Sequence, residues 1–122
     1  MEQPTILVVD DEIDLLETIV NRLRKRGMAA EGVASGGEAI RRIAETPFDV
    51  VLLDIKMPGG MDGIEVLREI KRRRPQTAVI LLTGHASVET SREGMALGAF
   101  DYLLKPMRFE ELLKKIAAAL EK

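Results

Sequence analysis

The chain has 122 residues, 46% of them hydrophobic and 31% charged, with 18 lysines and arginines against 20 aspartates and glutamates for a net charge of −2. That balance fits one ordinary globular domain, residues 1–122, and excludes a disordered chain or a global basic footprint for nucleic acid or an anionic membrane. No cysteine is present, which rules out disulfides, thiolate metal sites and cysteine nucleophiles.

The first apolar run, Thr5-Ile-Leu-Val-Val9, stops at the acidic cluster Asp10-Asp11-Glu12. It is too short for the apolar region of a signal peptide, and no run approaches the roughly 20 apolar residues of a membrane span. A cytoplasmic protein is therefore expected. A helix follows with Ile13, Leu16, Ile19, Val20 and Leu23 on one face. Acidic residues open it, Arg24-Lys25-Arg26 close it, and Gly27 terminates it. A weaker strand lies near Met28 to Ala34, and Ser35 is placed to cap a short helix that ends before Pro47. Phe48 to Leu53 reads as the third strand, and a Gly-Pro loop from Met57 to Gly63 leads into a helix carrying Ile64, Leu67 and Ile70. Ala78 to Leu82 is a fourth strand, Ser87 to Leu97 a helix, and Phe100 to Leu104 a fifth strand. The last helix carries Phe109, Leu112, Leu113, Ile116, Ala117 and Leu120 on one side.

Five strands alternating with five helices predict an α/β fold with a parallel sheet and right-handed crossovers. The first, third and fourth strands are apolar on both faces, as central strands must be. Glu31 and Gly32 in the second and Asp101 in the fifth mark those two as edges. The expected arrangement is a doubly wound five-stranded sheet of order 2-1-3-4-5.

In such a sheet ligands bind beyond the carboxyl ends of the strands, where the order reverses. Strand one runs into Asp10-Asp11, strand three into Asp54, strand four into Thr83 and strand five into Lys105. Three carboxylates in one crevice raise one another's proton affinity unless a cation joins them. Mg²⁺ suits them, because it takes oxygen ligands and leaves positions for water and phosphate. A carboxylate beside it can attack phosphorus, with an ammonium such as Lys105 balancing the transferred charge and the Thr83 hydroxyl donating a hydrogen bond.

Over nearly its whole length the chain resembles the response-regulator receiver family, whose fold is flavodoxin-like. The matching segments are Val8-Val9-Asp10-Asp11-Glu12, Leu52-Leu53-Asp54-Ile55-Lys56-Met57-Pro58, Met61-Asp62-Gly63, Leu82-Thr83-Gly84 and Tyr102-Leu103-Leu104-Lys105-Pro106. The resemblance implies that Asp54 is the phosphoacceptor. Asp11 corresponds to the direct metal ligand, Asp10 to a partner acting mainly through metal-bound water, and Lys56 to a ligand through its backbone carbonyl. Thr83 and Lys105 correspond to the phosphoryl-binding hydroxyl and ammonium, and Thr83 with Tyr102 to the switch pair. The Lys105-Pro106 bond matches one that is usually cis. Also implied are a sensor histidine kinase or phosphotransfer protein as donor, and an output partner read through the fourth helix, fifth strand and fifth helix. A homodimer through that same surface is implied as well. The expected protein is a signalling switch rather than an enzyme, with only self-catalysed phosphotransfer and autodephosphorylation.

One departure from the family pattern is the pair Gly59-Gly60 where a single residue is usual. Lys56 and His85 resemble positions that tune hydrolysis of the phosphoryl group, and His85 itself reads as a solvated loop residue. Lys71-Arg72-Arg73-Arg74 closes a helix, where cations are favoured, and lacks the interleaved aromatics of a nucleic-acid patch. A Mg²⁺-dependent phosphatase is disfavoured because Glu12 stands where its second aspartate is expected. A flavin or nucleotide binder is disfavoured because the loop after strand one is acidic rather than glycine-rich. A receiver-like module without phosphorylation is disfavoured because every reacting residue type is present.

Overall fold

Each apolar run of the sequence becomes a strand and each amphipathic segment a helix. The computed structural model describes residues 3–56, 62–84 and 88–121. In chain order the elements are β1 (Thr5–Val9), α1 (Ile13–Lys25), β2 (Ala29–Val33), α2 (Gly36–Glu45), β3 (Val50–Asp54), α3 (Gly63–Arg73), β4 (Ala78–Thr83), α4 (Val88–Ala96), β5 (Asp101–Leu104) and α5 (Phe109–Leu120). The boundaries lie within about two residues of those expected, the ordinary tolerance at element ends. Gly59, Gly60, His85 and Ser87 lie outside the described residues.

The sheet is parallel with order β2-β1-β3-β4-β5, as the strand compositions require. Side chains alternate across it. Leu7, Val9, Val51, Leu53, Val79 and Leu81 enter one core with Ala39, Ile43, Val66, Leu67 and Ile70 of α2 and α3. Ile6, Val8, Val50, Leu52, Ile80 and Leu82 enter a second core with α1 and α5. The sheet is thus covered on both faces.

Local chemistry fixes the helix ends. After α1 the Met28 amide donates to Leu23 O at 3.2 Å and the Gly27 amide to Arg24 O at 3.0 Å. Gly27 adopts φ +85°, the left-handed conformation this C-terminal motif requires. Ser35 caps α2 by accepting from the Glu38 amide. Asp62 and Glu65 cap α3 reciprocally, each side chain accepting from the other's backbone amide.

The basic run at the end of α3 is occupied within the fold. Arg72 and Arg73 pair with Glu69, Arg74 Nε donates to Ile43 O, and Lys71 Nζ donates to Pro75 O and Thr77 O. The charged residues of the edge strands are likewise used. Glu31 of β2 accepts from Arg42 Nε at 2.6 Å, and Asp101 of β5 pairs with Lys115 at 2.5 Å.

Candidate functional site

The carboxyl ends of β1 and β3 lie side by side, Val9 registering with Leu53, so the residues that follow share one crevice. Asp10, Asp11 and Asp54 each bring a carboxylate oxygen to within 4.8 Å of the others. Asp10 is fully buried and Asp54 nearly so, while Asp11 faces solvent. The Glu12 amide donates to Asp10 Oδ1 at 2.9 Å, and the Lys56 amide donates to Asp54 Oδ1 at 3.2 Å. One oxygen of each buried carboxylate therefore leans on backbone, and the other remains for a cation.

Lys105 supplies a cation from the end of β5. Its Nζ lies 3.0 Å from Asp10 Oδ2, 3.4 Å from Glu12 Oε1 and 3.5 Å from Asp54 Oδ2. The Lys105-Pro106 bond is cis, and the Lys105 amide donates to Thr83 O at 2.6 Å, tying β5 to the end of β4. Burial works against the ammonium, but the Asp10 hydrogen bond and the charges of Asp54, Asp10 and Glu12 outweigh it and hold its pKa above the ordinary lysine value. Burial pushes the Asp54 carboxyl up to about 6; Lys105 opposes that rise, and the Asp10 charge adds to it.

Three oxygen-bearing groups at this separation form a hard donor set, and Mg²⁺ accepts such a set with carbonyl and water oxygens completing its shell. The residues fit that ion. Lys105 partly neutralises them meanwhile.

Of the residues expected here, Asp10, Asp11, Asp54 and Lys105 converge, with the Lys56 backbone beside them. Thr83 is buried at the end of β4 with its hydroxyl donating to Gly84 O at 3.0 Å. Tyr102 stands on β5 in register with Leu81, and Leu104 in register with Thr83. Since side chains two apart share a face, Thr83, Leu81, Tyr102 and Leu104 belong to the same side of the sheet. Sequence reasoning missed the Glu12 contribution to Lys105. Its place as the third acid in the run after β1 was the available signal.

Residues 6–117 match a family model described as the response regulator receiver domain. The chain belongs to that family. Among curated relatives, the receiver is 41% identical to the transcriptional regulatory protein ZraR of Klebsiella oxytoca, over 98% of this chain and 27% of that protein. It is 39% identical to the uncharacterized transcriptional regulatory protein YkoG of Bacillus subtilis, over 98% of this chain and 52% of that protein. The chain thus spans about a quarter to a half of the length of these relatives. Among solved structures, the receiver domain of NtrX from Brucella abortus superposes with a TM-score of 0.91 at 32% identity, covering 96% of this chain and 98% of that one. A CheY-like receiver domain from Methanospirillum hungatei superposes with a TM-score of 0.94 at 35% identity, covering 98% and 95%. The family and fold read from the motifs are borne out, and the receiver is a two-component signalling domain. Among the described residues no helix is long and apolar enough to cross a membrane.

Proposed function

We propose that this receiver takes a phosphoryl group onto Asp54 in a Mg²⁺-dependent reaction and thereby switches its affinity for an output partner. The observation that carries this reading is the buried Asp54 carboxylate, 3.5 Å from the Lys105 ammonium and clustered with two further carboxylates.

Asp10, Asp11, the Asp54 carboxylate and the Lys56 carbonyl are the residues that would hold the ion. Bound there, Mg²⁺ supplies positive charge to the phosphoryl oxygens and to the carboxylates. An Asp54 carboxylate oxygen attacks phosphorus, and the donor's P–N bond breaks with its electron pair going to the imidazole nitrogen. Lys105 turns its ammonium from Asp10 and Glu12 toward a phosphoryl oxygen. Thr83 gives up its bond to Gly84 O and donates to another. Water attack on the acyl phosphate later releases inorganic phosphate and restores the carboxylate.

The donor is a phosphohistidine on a sensor kinase or phosphotransfer protein. Thr83 and Tyr102 share a face of the sheet, so movement of one hydroxyl reaches the other through Leu81 and Leu104. Met95, Tyr102 and Leu104 are large exposed apolar residues of α4 and β5, and this surface with α5 is the proposed readout, by an output partner or a second copy. The named relatives are transcriptional regulatory proteins, so control of transcription is the proposed output. We also assign residues 1–122 to a single receiver domain and its setting to the cytoplasm.

Intact mass after incubation with acetyl phosphate and Mg²⁺ tests the reading. One acid- and hydroxylamine-labile phosphoryl adduct is expected on the wild type and none on Asp54→Asn or with chelator. An adduct that persists in Asp54→Asn would sink Asp54 as the acceptor.

A further inference from the structure

Gly63 opens α3, nine residues after Asp54 in sequence yet directly against the backbone that follows it. A Cβ on Gly63 would lie 2.5 Å from Ile55 Cα and 2.6 Å from Ile55 O. Such separations do not occur in folded proteins, so a side chain there would displace backbone rather than a flexible side-chain tip. The contact also carries a hydrogen bond, since the Gly63 amide donates to Ile55 O at 3.0 Å. On its other side Ile55 is held by its own amide, which donates to Leu82 O at 3.1 Å. Ile55 is therefore clamped between β4 and the first residue of α3.

Ile55 is the link between Asp54 and Lys56, and the Lys56 amide donates to Asp54 Oδ1. We infer that Gly63 is a positioning residue for the site, its bare Cα letting α3 pack on Ile55 so that the Lys56 amide and carbonyl are held at the Asp54 carboxylate. The inference rests on the proposed reading of Asp54 and Lys56. The reciprocal cap between Asp62 and Glu65 secures the start of α3, which makes that helix a fixed stop for the clamp rather than a fraying end. Partners that orient metal-binding groups matter nearly as much as the groups themselves.

The test compares wild type, Gly63→Ala and Ile70→Ala, each first shown folded by circular dichroism. Ile70→Ala excavates the core two turns further along the same helix and controls for lost stability alone. Mg²⁺ affinity is measured by calorimetry, and exchange of the Lys56 amide by NMR in metal-free protein. Gly63→Ala should bind Mg²⁺ about tenfold more weakly and exchange the Lys56 amide faster, while Ile70→Ala keeps the wild-type values. Wild-type affinity and exchange in Gly63→Ala would overturn the inference, as would equal weakening in Ile70→Ala. If Gly63→Ala does not fold, Asp62→Ala loosens the start of α3 without adding an atom. It should weaken Mg²⁺ binding and speed exchange of the Lys56 amide, and wild-type values there overturn the inference equally. Acetyl phosphate labelling of the wild type runs in parallel. A wild type that binds no Mg²⁺ and takes no phosphoryl group removes the proposed function and this inference together. A labelled wild type with an indifferent Gly63→Ala removes this inference alone.

Discussion

The Lys105 ammonium stands 3.0 Å from Asp10 Oδ2 and 3.5 Å from Asp54 Oδ2, so one cation is shared between the acid after β1 and the acid ending β3. Lys105 lowers the Asp54 pKa against the effects of burial and of Asp10. Lys105→Ala should therefore raise that pKa above its present value of about 6, read from the Asp54 carboxyl resonance in a metal-free titration. The same variant should bind Mg²⁺ more tightly, having lost a competing cation, and should be labelled by acetyl phosphate more slowly. An unchanged titration would remove Lys105 from the electrostatics of the site.

Asp54 also makes stability depend on pH. Its folded pKa lies above the ordinary aspartate value of about 4, so the folded state binds this proton more tightly than the unfolded chain. The group therefore adds stability as pH falls from about 6 toward 4, and its ionised form is a burden above 6. Metal-free Asp54→Asn should melt at a higher temperature than wild type at pH 7, with the gain shrinking steadily at lower pH. A variant less stable than wild type at pH 7 contradicts this.

Glu31 behaves in the opposite sense. Its hydrogen bond from Arg42 is the largest of the causes holding its pKa below the ordinary carboxylate value. The interaction is thus fully present above that ordinary value and is lost as pH falls through the lowered one. Urea unfolding should find Glu31→Gln less stable than wild type near neutrality, with the two curves merging at strongly acid pH. A gap that stays constant with pH would assign the difference to packing instead.

α4 approaches the sheet closely at one glycine. A Cβ on Gly94 would lie 2.3 Å from Leu81 Cδ1, so Gly94→Ala overfills that contact and should cost about 1–3 kcal/mol. Leu81→Ala alone should cost about 2–5 kcal/mol through the cavity it leaves. Combined, the new methyl occupies part of that cavity, and the double variant should lose less than the sum of the single losses. Additive losses in chemical denaturation would show that the two residues do not press on each other.

Tyr102 is 41% exposed, so it can be changed with little loss of stability. Tyr102→Ala should shift unfolding by under about 0.5 kcal/mol. It should nonetheless alter how phosphorylated protein self-associates, measured by sedimentation velocity of phosphoryl-labelled and unlabelled samples. Identical behaviour to wild type in both states would take Tyr102 out of the proposed switch.

Much of this was legible in the sequence for definite reasons. β1, β3 and β4 are apolar on both faces because both faces are covered, so their central position could be read from composition. Asp10, Asp54, Thr83 and Lys105 each follow or end a strand, and a parallel sheet sends all those ends to one side. Other features were not legible. Glu31 and Asp101 marked edge strands, but their partners Arg42 and Lys115 come from helices whose rotation the pattern alone does not fix. Lys71 and Arg74 bond to carbonyl oxygens, an arrangement invisible in a list of side chains. The closeness of Gly63 to Ile55 follows from the path of a chain segment, which no periodicity encodes.

Asp54 and Thr83 end strands that are paired on both sides, whereas Tyr102 and Leu104 lie on β5, which has a single neighbour. Shifting a central strand would tear two ladders; shifting β5 disturbs one. The sheet is therefore mechanically graded, stiff at its middle and compliant at this margin. A force delivered at the middle relaxes with least resistance at the margin, so a group seated on Asp54 need not deform the frame that holds it in order to be felt at the rim.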